Sequence, residues 1–144
     1  MNLFQRGQFK LHSGGTSEFK IDADVLGNHS IETVAWLLAQ RVEPFGVVYG
    51  IPSGGLRLAR AMEEYQVGEG QDGYERLLIV DDVLTTGQSM VDMRASTVLQ
   101  VALRAANLNI TDTIGGVIFA RPEPAPWITA LWTLAPSMAE REQC

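Results

Sequence analysis

The stretch LLIVDDVLTTGQSM, Leu77 to Met90, sets four aliphatic residues ahead of two adjacent carboxylates, then a run of hydroxyls around a glycine. With Arg76 it opens as RLLIVDD, apolar at successive positions, the pattern of a strand buried on both faces inside a parallel sheet. Two carboxylates side by side repel each other, and neither has a structural reason to end an apolar strand. In open parallel sheets, ligands gather outside the carboxyl ends of the strands, which is where this pattern puts Asp81 and Asp82. Thr85, Thr86, Gly87, Gln88 and Ser89 then form the turn into a helix, where free backbone N–H groups and the helix dipole favour a phosphate. Gly87 allows the chain to wrap closely around such a group. Adjacent acids suit a pair of vicinal ribose hydroxyls and can share a divalent cation. The stretch as a whole asks for a phosphorylated ribose.

Outward from it, strands and helices alternate. SIETVAWLLAQRV repeats Ile31, Val34, Ala35, Leu38 and Val42 at helical spacing, with Asn28 or Ser30 as a cap. FGVVYGI reads as a buried strand, PSGG as its turn, and LRLARAMEEYQ as the next helix. Residues 88 to 106 read as one helix with Met90, Met93, Thr97, Val98, Val101 and Ala105 on its buried stripe. TIGGVIFA and ITALWTL are further strands, separated by the proline-rich RPEPAPW. The expected fold is α/β with a mainly parallel sheet and right-handed crossovers.

Length and composition agree. A chain of 144 residues, 46% apolar and 19% charged, is one ordinary globular domain. A net charge of -6, with lysine only at Lys10 and Lys20, argues against a general nucleic-acid binder. The single cysteine, Cys144, excludes an intramolecular disulfide. No apolar run reaches the ~18 residues of a membrane span, and MNLFQRGQFK lacks the apolar block of a signal peptide, so a cytoplasmic location is expected.

Strand, two acids and VLTTG followed by a small polar stretch resembles the phosphoribosyl-diphosphate signature of type I phosphoribosyltransferases. The resemblance implies that Asp81 and Asp82 hold the ribose 2- and 3-hydroxyls and act in catalysis. It implies that Thr85 to Ser89 cradle the 5-phosphate, with Mg2+ as cofactor reached by the two acids, through water if at all. The turn YGIPSGG stands where that family holds the pyrophosphate, which points to Ser53, Gly54 and Gly55, with Arg57 and Arg60 bringing charge behind them. FKLHSGGTSEFKID, Phe9 to Asp22, is similar to the opening of orotate phosphoribosyltransferases, which forms a hood over the base. Here His12 stands where those enzymes commonly have a lysine, beside Ser13 and Gly14. Arg121 of FARPE matches an arginine that can grip the orotate carboxylate. The implied organisation is a single domain, residues 1–144, with a hood over residues 1–27 and a core over residues 28–144. The implied activity is transfer of phosphoribosyl from phosphoribosyl diphosphate to a pyrimidine base, orotate foremost, in a homodimer.

One segment departs from the pattern. Between Tyr65 and Leu77 orotate enzymes carry a long mobile lid with a catalytic lysine, whereas this chain has QVGEGQDGYER and no lysine after Lys20. Arg57, Arg60 and Arg76 are the cations that could substitute. The departure leaves two further readings: a noncatalytic protein that binds phosphoribosyl diphosphate or a nucleotide or has a regulatory role, and a transferase for another base.

Overall fold

The computed structural model describes residues 4–10, 16–21 and 26–134. The segment RLLIVDDVL becomes the strand β4 (Arg76–Leu84), next to the edge strand β3 (Val47–Gly50). On its other side lie β5 (Asp112–Ala120) and β6 (Ile128–Thr133), all parallel, in the order β3-β4-β5-β6. Burial explains the composition of β4, because Leu77, Leu78, Ile79 and Val80 are all fully buried between two layers of helices.

One layer is α1 (Asn28–Arg41) and α2 (Gly55–Met62), whose Leu38, Leu58 and Met62 pack on Leu78 and Val80. The other is α3 (Gln88–Arg94) and α4 (Thr97–Ala105), whose Met90, Leu99 and Leu103 pack on Leu77 and Ile79. Strand alternation thus sends even and odd residues of β4 into separate cores. Both edges of the sheet are blunted by side chains. The N–H of Val48 in β3 donates to Gln66 Oε1 (3.0 Å), and Arg41 Nη1 donates to the carbonyl of Leu131 in β6 (3.0 Å).

Three expectations change. The N-cap of α1 is Gly27, with no side-chain cap, so neither Asn28 nor Ser30 plays that part. The helix read over residues 88 to 106 is two helices. Ser96, in extended conformation, accepts a hydrogen bond from the N–H of Leu99 through its hydroxyl (3.1 Å) and restarts the chain as α4. The restart rotates the buried face onto Leu99 and Leu103, leaving Val98 at 78% and Val101 at 64% exposure. The crossovers are not all right-handed. The steps β3 to β4 and β4 to β5 go the same way across the sheet while α2 and α3–α4 lie on opposite faces, so the two have opposite hands. The right-handed rule depends on a helix fed directly by a twisted strand, and the long irregular segment between α2 and β4 uncouples them. The polar opening of the chain also contains β1 (Phe4–Lys10) and β2 (Thr16–Ile21), an antiparallel pair that forms its own two-stranded sheet.

No helix among the described residues is long and apolar enough to cross a membrane.

Candidate active site

β3 ends at Gly50, opposite Val80, while β4 continues to Leu84. Asp81 and Asp82 therefore lie within β4 but past the end of its neighbour, where the sheet opens. Local hydrogen bonds hold them: the N–H of Asp82 donates to Asp81 Oδ1 (2.8 Å), and the N–H of Val83 donates to Asp82 Oδ1 (2.7 Å).

Adjacent residues of a strand point to opposite faces, and the two acids accordingly meet two different loops. Asp81 lines an open cleft of ≈ 230 Å³ with Leu84, the turn from Thr85 to Ser89, Met90 and Asp92. Asp82 turns the other way, and its carboxylate fills the space that a Cβ on Gly54 would occupy. Gly54 has ordinary helical angles (φ -65, ψ -28), so glycine is needed there for room and not for conformation. At Gly87 the reason is conformational, since φ is 85 in the left-handed region. The acid pair is thus the partition between the turn before α2 and the turn before α3.

The pair is electrostatically tense. The Asp81 carboxyl is pushed up from 3.8 to about 8, first by burial and then by its hydrogen bond to, and repulsion from, Asp82. A cation or a hydroxyl donor arriving at this point would relieve the tension.

The surrounding donors are unequal. In the turn before α2, the N–H of Gly55 donates to the carbonyl of Ile51 (2.8 Å) and the N–H of Leu56 to that of Ser53 (3.2 Å), which commits both amides internally. In the turn before α3, the N–H of Gln88 donates to Thr86 Oγ1 (3.3 Å). Gln88 Nε2 donates to Asp92 Oδ1 (2.7 Å). Asp92 was not singled out from sequence, although its spacing of four from Gln88 on a helix was the available signal.

Arg121 follows β5 directly, and its N–H donates to the carbonyl of Leu84 (2.9 Å), which brings it beside Thr85 at the same end of the sheet. Arg57 Nη2 donates to the carbonyl of Leu26 (2.9 Å). Arg76 is elsewhere. It begins β4, with Nε on Asp112 Oδ2 (2.8 Å), Nη1 on the carbonyl of Pro44 (2.7 Å) and Nη2 3.2 Å from Glu43, at the amino end of the sheet. About five residues of strand separate it from Asp81, roughly 16 Å, so it is no substitute for a lid cation. His12, Ser13 and Gly14 lie outside the described residues.

Asp81, Asp82, the two turns and Arg121 therefore converge at the carboxyl end, and Arg76 does not. Among the described residues no cluster of three or more His, Cys, Asp or Glu side chains could hold a metal on its own.

No family model matches the chain. It is 31% identical over 109 residues to the orotate phosphoribosyltransferase of Halobacterium salinarum, a match covering 61% of this chain and 62% of that one. The chain thus matches somewhat under two thirds of the curated relative's length. The crystal structure of orotate phosphoribosyltransferase from Aeropyrum pernix superposes with a TM-score of 0.62 at 25% identity, covering 91% of this chain and 88% of that one. That of Mycobacterium tuberculosis H37Rv gives 0.57 at 15% identity, covering 91% and 89%. The chain has the type I phosphoribosyltransferase fold, and its likeness in sequence and structure is to orotate phosphoribosyltransferases.

Proposed function

We propose that this chain transfers the phosphoribosyl group of phosphoribosyl diphosphate to a pyrimidine base, orotate by preference, with release of pyrophosphate. The observation that carries the reading is the acid pair dividing two turns, with Asp81 in the cleft before α3 and the Asp82 carboxylate against Gly54 in the turn before α2. A ligand with a phosphate at one end, a diphosphate at the other and two hydroxyls between them matches that partition. Asp81 and Asp82 take the ribose hydroxyls, Thr85, Thr86, Gly87, Gln88 and Ser89 the 5-phosphate, and Ser53, Gly54 and Gly55 the pyrophosphate side.

Arg121 takes the carboxylate of orotate as a planar, two-pronged donor. By resemblance, His12, Ser13 and Gly14 complete the base site, within a hood over residues 1–27 on a core of residues 28–144. The two carboxylates fit Mg2+, which typically binds through one or two carboxylates plus substrate oxygens and water, so a three-residue cage is not required. Bound there, the ion would neutralise charge on the diphosphate. A cytoplasmic homodimer is part of the same reading.

The reaction needs no protein nucleophile. The bond between the anomeric carbon and the pyrophosphate oxygen breaks as the base nitrogen bonds to that carbon, and charge develops on the ribose and the leaving group. The chain's work is to fix the ribose through its hydroxyls and to stabilise charge. The test is pyrophosphate release from phosphoribosyl diphosphate and magnesium across a panel of bases. Orotate should give the highest rate. Release with a purine but not orotate would reassign the base, and no release with any base would reduce the protein to a binder.

A further inference from the structure

We infer that the same site also hydrolyses phosphoribosyl diphosphate when no base is bound, an inference that rests on the phosphoribosyl-diphosphate reading above. A ribose carbon that becomes cation-like as pyrophosphate leaves reacts with whichever nucleophile reaches it. A transferase therefore keeps its base-directed outcome by excluding water, and a covering segment is the usual means.

In this chain the segment between α2 and β4 is folded in the opposite direction. After the single 3₁₀ turn at Glu63–Tyr65, the N–H of Val67 donates to the carbonyl of Phe45 (2.9 Å), and Gln66 Oε1 accepts from the N–H of Val48. Gln71 then closes a tight turn on Gly68, its Oε1 accepting from the N–H of Gly68 (2.6 Å) while its own N–H donates to the carbonyl of Gly68 (3.0 Å). Gly73 is packed so closely on Pro44 that a Cβ there would collide with its backbone carbonyl, and the N–H of Arg76 donates to the carbonyl of Gly73 (2.9 Å). Pro44 and Phe45 precede β3 and Arg76 begins β4, so the segment is fastened toward the amino end of the sheet, its far end at Arg76 roughly 16 Å along the strand from Asp81. A segment so tied seals the outer edge of β3. These ties hold it on the amino-end side of β3, away from Asp81 and Asp82.

Water then competes with the base. The water oxygen bonds to the anomeric carbon, and the bond from that carbon to the pyrophosphate oxygen breaks with its electron pair leaving on pyrophosphate. The proton from water goes to solvent. The products are ribose 5-phosphate, pyrophosphate and a proton, with no oxidant or reductant involved.

The experiment compares pyrophosphate and ribose 5-phosphate formation from phosphoribosyl diphosphate in magnesium buffer with and without orotate. The Asp81→Asn, Asp82→Asn double variant, checked for folding by circular dichroism, is run beside the wild type. The expected result is base-free release within about tenfold of the rate with orotate, one ribose 5-phosphate per pyrophosphate, and loss of both in the variant. Base-free release more than about tenfold slower than with orotate overturns the inference while leaving transfer intact. Orthophosphate in place of pyrophosphate, or full activity in the variant, also overturns it. Release in neither arm overturns the transfer reading as well.

Discussion

At the amino end of the parallel sheet, Arg76 joins β4 to β5 and to the chain before β3 through Asp112, Pro44 and Glu43. At the carboxyl end of the same strand, burial and the neighbouring Asp82 push the Asp81 carboxyl up to about 8. One strand therefore carries at its start a charge matched by its neighbours, and at its finish a carboxyl whose proton is held by burial, then by its hydrogen bond to Asp82 and by repulsion from it. A matched charge fastens a fold. A strained pair marks a candidate site, and under the function proposed above the difference separates the structural end of this sheet from the ligand-binding one.

The largest effect should come from relieving the strain. Folding raises the Asp81 pKa from 3.8 to about 8, so the native state keeps a proton that the unfolded chain has lost. That contribution to stability is complete below pH about 3.8 and is lost as pH rises through about 8. Asp81→Asn should remove this part of the decline, so the variant gains on wild type between pH 5 and pH 8.5 in urea unfolding. Parallel pH profiles for the two proteins would show that the carboxyl end is not strained.

Next is Arg121→Ala, which should weaken orotate binding by about 2–5 kcal/mol and leave phosphoribosyl diphosphate nearly unaffected. Equal losses for both ligands in calorimetry would remove Arg121 from the base site. At the other end, Arg76→Ala should lower unfolding stability by about 1–3 kcal/mol without changing phosphoribosyl-diphosphate affinity. A loss of affinity would mean that the two ends are coupled, and the contrast between them would fail. Smallest is Ser96→Ala, which removes the cap of α4 and should lower stability by about 1 kcal/mol in thermal or urea unfolding. An unchanged midpoint would mean that the break between α3 and α4 does not depend on the hydroxyl.

Much of this was legible in the sequence because local chemistry and tertiary placement agree there. Four aliphatic residues in a row ahead of the acids read as a strand buried on both faces, and β4 is such a strand, with the acids past the end of β3. The break at Ser96 was not legible as such, because Met90 to Ala105 keeps a helical period and a serine within it is unremarkable. Only the demand that Leu99 and Leu103 reach the sheet decides the rotation. The opposite hands of the two crossovers were hidden for a different reason, since handedness depends on which face α2 takes and no local residue specifies it. The position of Arg76 followed from strand direction, yet its sequence proximity to the acids suggested a nearness that about 16 Å of extended chain denies.

The most direct measurement is a calorimetric titration of phosphoribosyl diphosphate with magnesium into the wild type and into the Asp81→Asn, Asp82→Asn double variant. Circular dichroism of both verifies the fold. The wild type should bind and the variant should give no heat of binding at the same concentrations, because the proposed ribose contacts and cation site are removed together. Equal affinity in the two proteins, with unchanged spectra, would contradict the assignment of the acid pair to the ribose and with it the function proposed for the site.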